Sequence, residues 1–249
     1  FLAAAKCGGV GDNNNNPVPY LLDNLQIQNN VIQQSFNHNV EKLLFLGSSC
    51  IYPTNSPQPI KEEYLLSDYL EPTNEPYSIA KIAGIKLCQA YTRQFGCNYI
   101  SLQPCNVYGL SDNFNQKSGH VIASLISKFH EAKVHNEPTV SCWGTGEAKR
   151  EFIFSDDLAD ACIFLMNNYN DPDIINVGTG VEYSIKELVE KVKDVVGYTG
   201  TVEWDHTKPN GMMRRLLDNT KLNNLGWEPS VSFDDGLRLT YKNYEVEMN

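Results

Sequence analysis

Apolar and polar positions along this chain follow two alternating periods. Short apolar runs at 43–46, 99–102, 152–154 and 174–177, each bounded by polar or turn-forming residues, predict buried strands. Between them, apolar side chains recur at helical spacing. One helix is predicted over 20–37, with Leu21, Leu22, Leu25, Ile32 and Phe36 on its apolar positions, and others over 77–95, 121–131 and 184–196. Ser184 and Glu187 fit a capping box at the start of the last of these. Residues 1–5 read as the end of a strand and 7–16 as a Gly/Asn loop. Residues 152–161 read as a strand, an N-cap at Ser155 or Asp156, and a helix.

Strands alternating with amphipathic helices predict an α/β fold, a doubly wound parallel sheet of Rossmann-like type. From 108 onward the texture changes to a polar loop and a separate helix, which predicts a smaller α/β lobe. The two lobes interleave: 1–110 and 151–181 in the first, 111–150 and 182–249 in the second. No Gly/Ser or Pro-rich linker divides them, and no internal repeat is present.

Charge and cysteine usage narrow the function classes. The chain has 249 residues and a formal net charge of −10, which argues against nucleic acid or an anionic membrane as partner. Its seven cysteines are scattered and form no C-x-x-C pair, so neither zinc nor a disulfide framework is expected. Cys88, Cys97, Cys105, Cys142 and Cys162 read as packing residues, and His38, His130, His135 and His206 as surface or packing residues. There is no glycosylation sequon, no signal peptide and no apolar run long enough to span a bilayer, so a cytoplasmic location is expected.

The chemistry concentrates at Tyr77-Ser-Ile-Ala-Lys81. Residues i and i+4 share a helical face, and a lysine there is expected to stabilise the phenolate and lower the tyrosine pKa. The strands at 43–46 and 99–102 deliver their C-terminal ends beside this helix, where open α/β sheets bind ligands. The first of them runs into Ser48, Ser49 and Cys50. Three glycine pairs, Gly9/Gly11, Gly144/Gly146 and Gly178/Gly180, lack the third glycine of a dinucleotide fingerprint and read as turns.

Four segments together carry a family likeness: Phe45-Leu-Gly-Ser-Ser-Cys50-Ile-Tyr-Pro53, Glu71-Pro-Thr-Asn-Glu-Pro-Tyr77-Ser-Ile-Ala-Lys81, Ser118-Gly-His120-Val-Ile and Trp143-Gly-Thr-Gly-Glu-Ala-Lys-Arg150-Glu-Phe. On these segments the chain resembles the extended short-chain dehydrogenase/reductases, and within them the nucleotide-sugar 3,5-epimerase–4-reductases. The likeness runs from residue 1 to about 244. It implies NADPH-dependent conversion of GDP-4-keto-6-deoxy-D-mannose to GDP-L-fucose by a homodimer, with the 77–95 and 20–37 helices at a four-helix interface. It also implies that the glycine turn, the first three strands and the residues selecting NADP lie before residue 1. The 249 residues alone are then expected to bind NADPH weakly and to aggregate.

Residue by residue, the resemblance makes Tyr77 the proton donor, Lys81 the holder of the ribose hydroxyls and Ser48 the partner of the carbonyl oxygen. Cys50 and His120 become the base and acid of epimerisation. NADP(H) is expected along Leu2, Ala3, Ala4, Leu46, Gly47, Ser48, Ser49, Lys81, Pro104, Cys105, Asn106, Val107 and His120. The GDP-sugar is expected at Lys128, Trp143, Arg150, Asn210 and Arg215, where Lys128 and Asn210 replace the family's more usual Arg and Asp. A 4,6-dehydratase would carry Asp-Glu in place of Ser49-Cys50, and a simple 4-epimerase has no need of the Cys/His pair. A non-catalytic cofactor-binding protein on the same fold is the alternative of a different class.

Overall fold

The structure, a computed structural model, describes residues 1–208 and 210–248. Its first sheet is parallel and built from β1 (Lys42–Leu46), β2 (Asn98–Pro104) and β6 (Ile175–Val177), in the order β1-β2-β6. Leu46 lies opposite Leu102, and Leu102 opposite Ile175. On the free side of β1, Leu2 forms an isolated parallel bridge to Phe45, donating from its N–H to Leu44 O at 2.8 Å. These strands are mostly apolar and buried on both faces, as a covered parallel sheet requires, with Ser101, Gln103 and Asn176 as buried polar positions.

Helices α2 (Pro17–Asn37) and α3 (Glu75–Phe95) pack against each other beside this sheet. A proline in the first turn of each supplies a helix-compatible φ where no backbone donor is needed. Gly84 lets α3 lie close on the sheet, because a Cβ there would come within 2.5 Å of Phe45 Cζ. Helix α5 (Ser155–Asn168) packs on β1, and the short α7 (Thr220–Asn224) on β6. The first core contains Phe45, Ile85, Ile100, Leu102, Leu165 and Ile175.

The second unit is a mixed sheet of β3 (Asn106–Tyr108), β5 (Lys149–Phe154), β7 (Glu182–Ser184) and β9 (Arg214–Arg215), with β5 at its centre. A separate parallel pair joins β4 (Thr139–Trp143) to β8 (Thr201–Asp205). Helices α4 (Val121–Val134), α6 (Ile185–Val196) and α8 (Phe233–Met248) close a second core around Phe129, Phe152, Val192 and Leu237. At α6 both halves of the capping box form: Ser184 Oγ accepts from Glu187 N at 3.1 Å, and a Glu187 carboxylate oxygen accepts from Ser184 N at 2.8 Å.

Three local expectations change. Residues 10–15 are a helix, α1 (Val10–Asn15), where a loop was expected. It lacks apolar periodicity and is held by polar side chains, Asn13 Nδ2 donating to Gly8 O at 2.8 Å and Tyr20 Oη to Asp12 Oδ2 at 2.5 Å. Helix α5 is capped by neither Ser155 nor Asp156; it starts directly off β5 at Phe154, with no side-chain cap. Finally, Leu217, Leu222 and Trp227 pack into the first core, although the sequence places them in the second lobe. A bridge between Ile60 and Leu217 pins this return segment, with Ile60 N donating to Leu216 O at 2.8 Å.

Candidate active site

The C-terminal ends of β1 and β2 meet the first turns of α3. Beyond β1, Gly47 passes so close under Gln103 that a Cβ would stand 1.9 Å from its Oε1. Ser48 N then donates to that same oxygen at 3.0 Å, and Ser48 Oγ accepts from Cys50 N at 3.2 Å, capping a 3-10 turn over Ser49–Ile51. Ser49 is buried in this turn, whereas the Ser48 hydroxyl hydrogen-bonds Tyr77. Ser78 Oγ donates to Cys50 O at 2.9 Å, fastening the start of α3 to the turn.

Lys81 is 3 % exposed. Its Nζ donates to Leu46 O at 2.8 Å and lies 5.0 Å from the Phe45 ring centroid and 5.9 Å from that of Tyr77. Burial lowers its pKa, with Cys7 opposing. The expected depression of the tyrosine does not occur in this arrangement. Burial pushes the Tyr77 phenol well above its ordinary value, Cys7 and Cys50 add to the rise, and the Ser48 hydrogen bond only offsets part of it. Such a phenol keeps its proton at neutral pH, which suits a donor.

Cys50 faces the other unit. Its sulfur accepts from Arg215 Nη1 at 3.1 Å and from Asn74 Nδ2 at 3.4 Å. Arg215 and Arg150 are register partners on β9 and β5. Arg150 is held down to about 10 by burial and by the charge of Arg215, and remains cationic at neutral pH. His120 is exposed at the N-cap of α4, with no capping bond from its side chain. Its loop is tied to the segment after Leu2 by Gly9 N donating to Ser118 O at 3.0 Å.

The remaining expected substrate residues gather around β4. Lys128 Nζ donates to Ser141 O at 2.9 Å. Trp143 is 59 % exposed, with Lys208 Nζ 5.8 Å from its ring centroid. Asn210 Oδ1 accepts from Thr145 N at 2.7 Å and Thr145 Oγ1 at 3.2 Å, so its acceptor is occupied by the turn. Gly211 connects this group to Arg150, whose Nη2 would lie 3.4 Å from a Cβ placed there.

Most residues of the expected dinucleotide wall lie at the Leu2 bridge and at the C-terminal ends of β1 and β2. Ala3 and Ala4 are exposed beside the Leu2 bridge, and Pro104 and Cys105 are buried at the end of β2. Cys105 N donates to Val177 O at 2.9 Å, and Asn106 Nδ2 to Glu151 O at 2.7 Å, while Val107 is half-buried. Lys81 spends one N–H on Leu46 O, and the buried Gln103 Nε2 has no partner. Donors of this kind beside two strand ends fit the ribose and nicotinamide half of a dinucleotide. Among the described residues, no cluster of His, Cys, Asp or Glu is arranged to hold a metal ion, and no helix is long and apolar enough to cross a membrane.

Four residues escaped sequence reasoning. The exposed Cys7 has its sulfur 3.6 Å from Tyr77 Oη, and no spacing signalled it. Asn74 reaches Cys50, and Gln103 braces the Ser48 turn. A long polar side chain inside the otherwise mostly apolar β2 run was a usable signal for Gln103. Glu151 is fully buried; its Oε1 accepts from Gly180 N at 2.7 Å and Asn219 Nδ2 at 3.3 Å, its Oε2 from Leu217 N at 3.0 Å. Burial raises its carboxyl above the ordinary range. It also pushes the Cys88 thiol to about 12 and Cys162 to about 11, in keeping with packing roles.

Comparison with known proteins agrees with this geometry. The sequence profile of the NAD dependent epimerase/dehydratase family matches residues 1–178. Over 244 residues the chain is 55 % identical to the putative GDP-L-fucose synthase 2 of Arabidopsis thaliana, covering 98 % of this chain and 74 % of that protein. Among solved structures, a GDP-6-OMe-4-keto-L-xylo-heptose reductase from C. jejuni superposes with a TM-score of 0.93 at 37 % identity, covering 99 % of this chain and 82 % of that one. A GDP-L-fucose synthetase from Naegleria fowleri bound to NADP gives 0.89 at 27 % identity, covering 93 % and 74 %. With its Rossmann-like α/β fold, the chain belongs to the NAD dependent epimerase/dehydratase family, among the GDP-L-fucose synthases.

Proposed function

We propose that this chain carries out NADPH-dependent 3,5-epimerisation and 4-reduction of GDP-4-keto-6-deoxy-D-mannose, giving GDP-L-fucose. One observation carries the reading: the buried Tyr77 phenol on α3 and the arginine-contacted sulfur of Cys50 meet at the turn that Ser48 caps, beside a buried Lys81. Reduction needs a proton donor at the C4 oxygen, and epimerisation needs a base near C3 and C5. One bound ketone can meet both there.

When bound, the nicotinamide supplies hydride to C4. Lys81 and the ends of β1 and β2 hold its ribose side. The Ser48 hydroxyl donates to the C4 oxygen and orients it, and Tyr77 delivers the proton to the developing alkoxide. Before that, Cys50 takes the proton from C3 or C5, whose C–H bonds are acidified by the adjacent ketone, and His120 returns one to the opposite face. Arg150 meets the diphosphate as a guanidinium, whose planar fork matches phosphate oxygens; Arg215 extends the same charged strip. The exposed indole of Trp143 offers a platform for guanine. Lys128 supports the same pocket through Ser141 on β4, and Asn210 through the Thr145 turn.

The named relatives, the NADP-bound neighbour and a thiol at 50 in place of the dehydratase pair favour this reading over the 4-epimerase and dehydratase alternatives. We further propose a homodimer through α2 and α3, on whose surfaces Val18, Leu22, Ile79 and Phe95 stand exposed; light scattering of the purified protein reads its mass. The catalytic test supplies GDP-4-keto-6-deoxy-mannose and NADPH in deuterium oxide and follows the sugar by NMR. GDP-L-fucose with deuterium at C3 and C5 is expected. A product unlabelled at both carbons would overturn the epimerase half, and unchanged NADPH the reductase half.

A further inference from the structure

The two arginines of the strip do different things. Each makes one side-chain hydrogen bond: that of Arg150 goes to its neighbour's backbone, Lys149 O, at 2.7 Å, and Arg215, whose buried Nε has no partner, sends its own to a sulfur. Arg215 is 8 % exposed, and its Nη1 is committed to Cys50 Sγ at 3.1 Å across 165 residues of sequence. We infer that Arg215 is the positioning residue of the epimerisation base, serving Cys50 rather than the substrate's phosphates. This inference rests on the proposed epimerase–reductase reading.

Several contacts hold Arg215 in that place. Its strand lies in register with β5, Arg215 opposite Arg150. Just beyond it, Leu216 N donates to Gln58 Oε1 at 2.9 Å and Leu217 N to the buried Glu151 Oε2 at 3.0 Å. The backbone is thus held at Arg215 and at the two residues after it, and the side chain is buried. Asn74 Nδ2 meets the same sulfur at 3.4 Å. Two N–H donors on one sulfur fix its lone pairs in direction and stand where negative charge sits whenever the proton is away.

The step balances without any further reagent. The Cys50 thiolate forms an S–H bond as the C–H bond at C3 or C5 breaks, and the electron pair moves to the C4 oxygen, where the Ser48 and Tyr77 hydroxyls face it. His120 donates its proton to the opposite face of that carbon. Cys50 then loses its proton to solvent and His120 regains one. Arg215 changes neither bond count nor charge; it keeps the sulfur directed and charge-matched through the cycle.

A phosphate ligand and a partner of the base differ in kinetics. Removing uniform binding raises KM, whereas removing a contact needed only for proton abstraction lowers kcat. The experiment measures solvent deuterium entry at C3 and C5 against GDP-sugar concentration, in the enzyme with NADPH, for Arg215→Met, Arg215→Lys and Arg150→Met. For Arg215→Met we expect kcat for exchange to fall about 10- to 100-fold, the scale of a hydrogen bond to a charged group, with KM moving less than about twofold. Arg215→Lys, which keeps a donor and the charge, should recover part of the loss, and it also serves if the methionine variant is unstable to heat. Arg150→Met should raise KM instead. A raised KM with unchanged kcat for the Arg215 variants, or no change at all, overturns the inference. Absence of exchange in the unmodified enzyme would instead strike the epimerase reading itself.

Discussion

Tyr77 and Lys81 show how a single residue's setting decides its chemistry. Their spacing places them on one face of α3, but the phenol's pKa follows its burial, so the tyrosine enters the reaction as an acid already holding its proton. Tyr77→Phe should lower ketone reduction about 10²- to 10⁴-fold, the usual scale of lost general acid catalysis, while NADPH titration shows binding retained. The pH profile carries a second test. Because the phenol is raised and Lys81 is lowered by burial, the lysine is the first of the two to lose its proton as pH rises. The alkaline limb of reduction should therefore fall below the ordinary lysine value and should flatten in Lys81→Arg, whose guanidinium does not titrate there. Cys50→Ser should abolish deuterium entry at C3 and C5 while NADPH oxidation continues, since a serine hydroxyl is too weak a base near neutrality. Undiminished exchange in that variant would return Cys50 to a packing role.

At the scale of elements, close approach sets the geometry of the site. Helix α3 reaches the sheet only because Gly84 has no side chain to meet Phe45. Gly84→Ala should push the helix outward and destabilise the fold by about 1–3 kcal/mol, as overpacking does, read as a lower midpoint in urea unfolding. A midpoint equal to that of the parent chain would show that Phe45 turns aside at no cost. The site elements themselves are readable in the chain: β1, β2 and α3 are long, apolar or strictly periodic, and their boundaries move by only a few residues between pattern and structure. The short β3, β7 and β9 are not readable. Two- and three-residue strands have no periodicity of their own and exist only because β5 offers them a ladder. The same holds for α1, whose helix is assembled from side-chain hydrogen bonds rather than an apolar face.

For the whole molecule, the two units meet over a buried carboxylate. Glu151 accepts three N–H groups from two separate segments: Gly180 N in the loop after β6, and Leu217 N and Asn219 Nδ2 in the stretch that leaves β9. Glu151→Ala would leave those donors unsatisfied, each costing about 1–3 kcal/mol. The expected loss is therefore at least about 3 kcal/mol of stability, measured by thermal or urea unfolding, and a loss below about 1 kcal/mol would show that water replaces the carboxylate. What the sequence determined by itself was whatever depends on neighbours a few residues away: strand and helix periods, the Ser184 capping box, the Tyr77/Lys81 face, and the motif segments that mark the family. The tertiary structure alone decided the partners of Cys50 and Tyr77. Arg215 and Cys7 reach them from 165 and 70 residues away, and no local pattern encodes such a contact, because chain folding rather than spacing brings the atoms together. Burial is a property of the same kind, and it reversed the expected shift of the tyrosine because desolvation by the assembled fold outweighs a single cation on the next helical turn.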